Sequence, residues 1–228
     1  MELFIFTFFI FYMISSKIGS LDKIFSGGLK NGIMTEIYGS RGTGKTHLAL
    51  QFAIEPLSNN KKILFIDTTV EFRPERFLQI IQSRNLSKNL LNNLHVSRVT
   101  NTQEQIEILN KIPQENFSLL IIDNVTDLFA FEYAKKENTI EKNNNFANYM
   151  IKLSKIALLQ NIPIIITNQL LQNDEKNYQR MNMHFENYIH QKIKLEKIKN
   201  NFKGKISSPF INNIEFNYSI SSNGIEET

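Results

Sequence analysis

The sequence contains no cysteine among its 228 residues. Disulfide bonds, thiolate catalysis and cysteine-ligated zinc are therefore excluded, and the composition suits a reducing compartment such as the cytoplasm. Histidine is also scarce, and its four positions show no ligand spacing such as His-x-x-x-His, so a metal held by protein ligands alone is not expected. After Arg98 the only arginine is Arg180. A small-molecule phosphotransferase is therefore disfavoured, because such enzymes need positive charge, usually from an arginine-rich lid, over the transferred phosphate.

No apolar run in the sequence is long enough to span a bilayer. The run from Leu3 to Ile14 is interrupted only by Thr7 and falls short of the roughly 20 residues that a membrane helix needs. Glu2 precedes it, where a signal peptide would carry positive charge. Two interpretations stay open, namely an added β-strand or oligomerisation arm, and a start codon assigned too early with Met13 as the true beginning. We therefore separate an extension, 1–13, from a core domain, 14–228, and expect no membrane association.

What the sequence does contain is typical of a single folded domain. Apolar residues make up 42% and charged residues 21% of the chain, and the net charge is +4. These proportions exclude wholesale disorder. The mildly basic balance permits a nucleic-acid partner without arguing for one.

Short apolar runs alternate with longer segments of helical period. The pattern predicts strands at 34–38, 63–67, 94–99, 119–123 and 164–167, and helices at 45–53, 74–83, 103–111 and 146–159. The strands are continuous apolar runs, which is typical of a parallel sheet covered by helices on both faces. Residues 189–195 and 214–220 instead alternate between apolar and polar, which predicts two or three antiparallel strands at the sheet edge. The expected fold is α/β, mainly parallel, with antiparallel strands near the C-terminus.

The most specific motif is a glycine-rich loop between a predicted strand and a predicted helix. It has the form G-x-x-x-x-G-K-T and consists of Gly39, Ser40, Arg41, Gly42, Thr43, Gly44, Lys45 and Thr46. In such loops backbone N–H groups surround the phosphates of a nucleotide, and the helix N-terminus adds its positive dipole. We expect Lys45 to contact the β- and γ-phosphates of ATP and the Thr46 hydroxyl to coordinate Mg²⁺.

Two later strands end in polar residues that belong to the same predicted site. Asp123 closes the apolar run Leu119–Ile122, and a carboxylate at a strand end can hold Mg²⁺ through water. The strand at 164–167 runs into Asn168 and Gln169. A side-chain amide in that place is a candidate sensor of the γ-phosphate.

From Ile14 onward the sequence resembles the RecA-like recombinases, and most closely the short archaeal RadB branch of that family. Besides the motifs above, the segments that carry the resemblance are Ile18–Lys23, Gly27–Leu29, Ile66–Thr68 with Phe72–Arg76, Asn161–Pro163 and Asn223–Glu226. The resemblance implies a RecA-like ATPase core that lacks the N-terminal DNA-binding domain of the full recombinases.

The resemblance also implies roles for individual residues. Arg76 would stack on adenine, and Gln169 would link the γ-phosphate to a second DNA-binding loop at 170–185, with the first such loop at 133–145. Within or beside these loops we single out Lys135, Lys136, Lys176 and Arg180 as DNA contacts. Between 192 and 205 a further group of lysines, interrupted by Glu196, is either a DNA-binding surface or an ordinary solvated face.

One position departs from the family pattern. These ATPases usually carry Asp-Thr-Glu after the second strand, with the glutamate positioning the attacking water, whereas this chain has Asp67-Thr68-Thr69. Glu71 lies two residues further on and is a candidate substitute base. A hydroxyl with no base behind it does not readily take a proton from water, and general bases contribute a factor of about 10² to 10⁴. We therefore expect at most a weak Mg²⁺-dependent ATPase.

Three functions follow from these features. The first is an ATP-binding and DNA-binding accessory protein of homologous recombination and repair, with partners implied by the resemblance: single-stranded or branched DNA without sequence preference, a RadA-like recombinase, a Holliday-junction resolvase and a further copy of the chain. The second is an active recombinase that exchanges strands. The third is an ATP-gated protein-interaction module that does not bind DNA.

Overall fold

The computed structural model describes residues 13–134, 139–170, 187–208 and 211–228, with backbone alone at 211–213. The helices are α1 (Gly19–Ile24), α2 (Lys45–Ser58), α3 (Pro74–Ser83), α4 (Thr102–Glu107), α5 (Asp127–Glu132) and α6 (Thr139–Gln160). The strands are β1 (Met13–Ile14), β2 (Leu29–Lys30), β3 (Met34–Gly39), β4 (Lys62–Asp67), β5 (Leu94–Arg98), β6 (Phe117–Asp123), β7 (Ile164–Gln169), β8 (Gln191–Ile198), β9 (Asn201–Ser208), β10 (Ile211–Ser221) and β11 (Gly224–Glu227). None of the helices in these ranges is long and apolar enough to cross a membrane.

One large sheet organises the fold. Its strands lie in the order β11-β10-β9-β8-β3-β7-β6-β4-β5. The strands from β5 to β8 in that order are parallel to their neighbours, and β8 to β11 form antiparallel pairs. The predicted mainly parallel α/β fold with antiparallel C-terminal strands is confirmed.

The C-terminal strands differ in detail from the prediction. The strand predicted at 189–195 is β8, and it is antiparallel to β9 but parallel to β3, with Glu36 beside Lys192 and Tyr38 beside Lys194. The strand β9 was not predicted, because lysines and Gly204 interrupt its apolar pattern. Gly204 is required there, since a Cβ on it would lie 2.2 Å from the ring of Phe216.

Two apolar cores lie on opposite faces of the sheet. The first packs α1, α2 and α3 against residues such as Ile37, Phe65 and Ile193, and the second packs α5 and α6 against residues such as Met34 and Ile122. The central strands β4, β6 and β7 contribute to both cores, which explains their continuous apolar runs.

The first described residues belong to the folded unit. Met13 and Ile14 form β1, which pairs with Leu29 and Lys30 in an antiparallel two-stranded sheet. Ile14 is fully buried in the first core. The rest of the apolar extension, 1–12, lies outside the described residues.

The carboxyl ends of β3, β4, β6 and β7 meet at one edge of the sheet. Gly39 is in register with Gln169, and Asp67 is in register with Asp123. All the polar strand ends that the sequence analysis singled out therefore lie together, as expected for parallel strands, whose ligand sites form outside their carboxyl ends.

Candidate functional site

The glycine-rich loop connects β3 to α2. Gly39, Gly42 and Gly44 have φ values of 154°, 78° and 96°. At Gly39 a Cβ would also lie 2.0 Å from the carbonyl oxygen of Leu195 in β8. Only glycine combines these backbone angles with such close approach. The loop ends at Lys45, the first residue of the 14-residue helix α2, whose N-terminus carries a partial positive charge.

The Lys45 ammonium is held by the loop itself. Its Nζ donates hydrogen bonds to the carbonyl oxygens of Gly39 at 3.0 Å and Ser40 at 2.9 Å. Burial lowers the pKa of Lys45 below its ordinary value, and the nearby carboxylate of Asp123 opposes that effect. The loop thus holds a buried ammonium group. Its charged state is unfavourable there unless an anion lies beside it.

Asp123 at the end of β6 connects the loop to β7. Its Oδ2 accepts a 2.6 Å hydrogen bond from the Thr46 hydroxyl, and its Oδ1 accepts one from the Thr167 hydroxyl. Burial raises the pKa of this carboxyl, while the two hydroxyl donors oppose the shift. The hydroxyl and the carboxylate are both oxygen donors of the kind that Mg²⁺ prefers.

The turn after β4 places a threonine where the family pattern has its glutamate. The Thr69 hydroxyl donates to Oδ1 of Asp67 at 3.1 Å, and the same carboxylate pairs with Nε of Arg98 at 3.5 Å. The Asp67 side chain is therefore occupied in shaping the turn. Val70, the next residue, has a φ of 60°, which is unusual for a β-branched residue.

Glu71, the candidate substitute base, is tied to the glycine-rich loop. Its Oε1 lies 2.6 Å from Nη2 of Arg41, and both side chains are largely exposed. Ion pairs this exposed contribute little free energy, about 0 to 1 kcal/mol. The pair therefore crosses the site from the β4–α3 turn to the loop without fixing either element.

A cleft of about 340 Å³ brings these groups together. Its walls include Thr69 and Glu71 after β4, Asp123 at the end of β6 and Gln169 at the end of β7. The lining residues are Arg41, Gly42, Gly44, Lys45, Thr46, His47, Thr69, Glu71, Arg76, Asp123, Asn124 and Gln169. His47 was not predicted, since no motif marks it; burial, with the charge of Arg76, lowers its pKa.

A buried network of side chains runs beneath the cleft from β4 to β3. The Thr68 hydroxyl donates to the carbonyl oxygen of Asn124, whose side-chain oxygen accepts from the Thr126 hydroxyl at 3.1 Å. That hydroxyl also lies 2.9 Å from Oδ1 of Asn168, and Nδ2 of Asn168 donates to Glu36 at 3.0 Å. The network links the floor of the cleft to the strand end that carries Gln169.

Comparison with known proteins identifies the family. A family model described as Rad51 matches residues 11–228. The chain belongs to the Rad51 family. It is also 31% identical over 169 residues to the DNA repair and recombination protein RadB of Thermococcus sibiricus (strain DSM 12597 / MM 739), a match that covers 72% of this chain and 71% of that protein. The predicted resemblance to RadB-like members of the RecA family is confirmed.

Rad51-family proteins imply ATP and Mg²⁺ as ligands, and the residues of this cleft fit both. Gly42, Gly44 and Lys45 line the cleft, and glycines in such loops let backbone N–H groups approach phosphate while the lysine supplies a cation. Thr46 and Asp123 supply a hydroxyl and a carboxylate joined at 2.6 Å. Arg76 and Gln169 also line the cleft.

The predicted DNA loops lie only partly within the described residues. Lys135, Lys136, Lys176 and Arg180 all lie outside them. The first loop was predicted at 133–145, and this was wrong at its C-terminal end, because α6 already begins at Thr139. The polar run before Phe146 carries no apolar period, so the spacing did not predict a helix there.

The alternation of side chains along the C-terminal strands decides which face of the sheet each lysine lies on. Ile193, Leu195 and Ile206 point into the first core, so the side chains between them lie on the other face of the sheet. That group, the lysine face, consists of Lys192, Lys194, Lys203 and Lys205, accompanied by Glu196 and Glu215. Ion pairs join Lys194 to Glu196 and Lys203 to Glu215. Lys194 and Lys205 stand directly opposite each other, and the carboxylates of Glu196 beside Lys194 and Glu215 opposite Lys205 offset the unfavourable pairing of like charges.

Proposed function

We propose that this chain binds MgATP in the cleft and acts as a DNA-binding accessory protein of homologous recombination, with at most weak ATPase activity. The observation that carries the proposal is the convergence of Lys45, Thr46 and Asp123 at one end of a parallel sheet, with a threonine at the position of the usual general base. Membership of the Rad51 family and similarity to a RadB protein support the recombination role.

The cleft residues that the sequence analysis singled out have definite parts in this proposal. The loop N–H groups and Lys45 bind the phosphates, Thr46 and Asp123 hold Mg²⁺, and Arg76 stacks on the adenine. Bound Mg²⁺ neutralises phosphate charge and orients the phosphates. Gln169 contacts the γ-phosphate and communicates with the segment that follows β7.

Hydrolysis is expected to be slow because no strong base faces the attacking water. The Thr69 hydroxyl donates to Asp67, a carboxylate already engaged with Arg98 and with the backbone of the turn, and Glu71 is paired with Arg41. Such a site would bind ATP and hydrolyse it slowly, so the ATP-bound state would persist. ATP binding would then act as a switch for the DNA-facing surface through Gln169 and the buried network beneath it.

The first experiment compares ATP affinity with ATP turnover. We expect tight binding of MgATP and turnover that is about 10² to 10⁴ times slower than that of a recombinase with a glutamate base. If Glu71 supplies the residual activity, Glu71→Gln removes it and leaves affinity unchanged. As a control, Lys45→Ala abolishes binding. Turnover comparable to that of a DNA-stimulated recombinase would refute the accessory role.

The second experiment titrates single-stranded and branched DNA against the protein by fluorescence anisotropy, with and without ATP. We expect salt-sensitive binding without sequence preference, because lysine–phosphate contacts release counterions and carry no sequence information. A RadA-like recombinase and a Holliday-junction resolvase are the proposed protein partners. The absence of DNA binding at low salt would favour the protein-interaction module instead.

A further inference from the structure

The hairpin formed by β10 and β11 supports the glycine-rich loop from the side of the first core. The Tyr218 hydroxyl donates a 2.6 Å hydrogen bond to the carbonyl oxygen of Thr43. Tyr218 is 2% exposed and Thr43 is fully buried, so water does not compete for this contact. Gly44 packs against the same hairpin, since a Cβ on it would lie 3.0 Å from Cδ1 of Ile220 and 3.1 Å from Cδ1 of Ile225.

The contact fixes the orientation of one peptide group in the loop. The carbonyl of Thr43 and the N–H of Gly44 belong to the same planar peptide unit, and in a trans peptide they point in opposite directions. A donor that holds the carbonyl toward the hairpin therefore turns the Gly44 N–H away from it. Gly44 lines the cleft, where an N–H group can bind a phosphate oxygen.

This peptide unit needs external support because glycine restrains it weakly. Gly44 has a φ of 96°, and glycine passes easily between such conformations and others. A rotation of the unit would direct a carbonyl oxygen toward the anionic phosphates. The hydrogen bond from Tyr218 opposes that rotation.

Packing alone does not require a tyrosine at this position. The ring of Tyr218 contacts Phe202, with centroids 5.4 Å apart, and Phe216, at 5.8 Å. A phenylalanine would preserve both contacts and the burial of the ring. The hydroxyl is the atom that reaches the loop, and burial raises the pKa of Tyr218 well above its usual value, so it remains a donor.

We propose that Tyr218 is a positioning residue for the phosphate site, and that its hydroxyl holds the Thr43–Gly44 peptide with the N–H directed at a bound phosphate. The inference rests on the proposed binding of ATP in the cleft. It adds the C-terminal hairpin to the elements that build the site.

The test uses Tyr218→Phe in the full chain, with calorimetric titration of MgATP and of inorganic tripolyphosphate well below the unfolding midpoint. Loss of the buried hydrogen bond is expected to weaken both ligands by the same factor, about 3- to 10-fold. Tripolyphosphate has no adenosine, so an equal loss assigns the effect to the phosphates. The matched control is Tyr149→Phe, since Tyr149 is equally buried but lies in the second core. It should bind both ligands like the wild type.

Several results would overturn the inference. If Tyr218→Phe lowers the unfolding temperature but binds both ligands with wild-type affinity, the hydroxyl serves stability alone. Weaker binding of ATP without weaker binding of tripolyphosphate would place the effect at the nucleoside. A wild-type protein that binds neither ligand would refute the proposed function itself, and this inference with it.

Discussion

At the scale of single residues, the turn between β4 and α3 stores backbone strain beside the cleft. Val70 has a φ of 60° and lies between Thr69 and Glu71, both of which line the cleft. A non-glycine residue in this region costs about 1 to 3 kcal/mol, and such residues cluster at functional sites. The turn is nevertheless well anchored, because the Asp67 carboxylate accepts hydrogen bonds from the backbone of Thr69 and of Phe72.

Replacing Val70 with glycine should therefore stabilise the protein. Glycine adopts the observed φ without strain, and its greater freedom in the unfolded chain offsets only part of the gain. We expect an increase of about 1 kcal/mol, which is a rise of about 2 to 4 °C in the unfolding midpoint of a chain of this size. Thermal unfolding measured by circular dichroism checks this value.

Val96 offers a matched control for that substitution. It is as exposed as Val70, at 42% against 43%, but it lies in β5 with regular strand geometry. Val96→Gly should destabilise the protein, since glycine weakens a strand. Destabilisation by both substitutions would show that the Val70 backbone is not strained in solution.

At the scale of secondary-structure elements, α2 joins both ends of the described chain to the nucleotide site. The side chain of Gln51 in this helix is fully buried. Its Nε2 donates to the carbonyl oxygens of Ser16 at 2.6 Å and Ile225 at 3.1 Å, and its Oε1 accepts from the N–H of Ile225 at 2.8 Å. One side chain thus satisfies three backbone groups from two distant segments.

Gln51→Leu should lower the free energy of unfolding by about 2 to 4 kcal/mol, because it leaves those backbone groups buried without partners. Urea denaturation measures this difference. Gln79→Leu in α3 is the control, since Gln79 is exposed and its replacement should change stability by less than about 0.5 kcal/mol. Equal effects of the two substitutions would mean that the Gln51 contacts contribute nothing beyond helix propensity and apolar surface.

Elements of this kind also show what the sequence could and could not predict. The glycine-rich loop, the Asp123 strand end and the apolar runs of the parallel strands are patterns of neighbouring residues. The sequence therefore identifies them without knowledge of the fold. Gln51 and Tyr218 act on partners about 175 residues away, and nothing in their local sequence marks them. The strand β9 and the early start of α6 were missed for a related reason, because charged and polar residues obscure the apolar period that predicts an element.

At the scale of the whole molecule, the lysine face places four lysines on one side of the C-terminal strands. Lys192, Lys194, Lys203 and Lys205 lie on strands that continue the sheet beyond β3, the strand that leads into the glycine-rich loop. Two glutamates neutralise part of this charge. Glu196 pairs with Lys194 and Glu215 lies opposite Lys205, so these four lysines and two glutamates together carry a net charge of +2 (4 − 2) available to a nucleic-acid backbone.

We predict that replacing Lys194 and Lys205 together with glutamine weakens the proposed DNA binding equally for all sequences. The slope of log affinity against log salt for single-stranded DNA should fall in magnitude by about 1.4, since each lost phosphate contact removes about 0.7. Anisotropy titrations at several salt concentrations measure it.

The control variant replaces Lys61 and Lys111, two exposed lysines away from the lysine face, with glutamine. It changes the net charge by the same amount and should leave the slope unaltered. If both variants reduce the slope equally, net charge and not the lysine face governs DNA binding.

Tyr218, Ile220 and Ile225, which support the glycine-rich loop, are synthesised much later than the loop itself. The ribosome makes Gly44 about 180 residues before Ile225. At about 5 to 20 residues per second, the loop exists for about 10 to 40 s before the hairpin that orients its peptide has been synthesised. A nascent chain that already displays the whole motif would therefore not yet hold ATP as the finished protein does. On the proposed function, the full affinity for ATP would then be reached only after the C-terminal hairpin has joined the sheet.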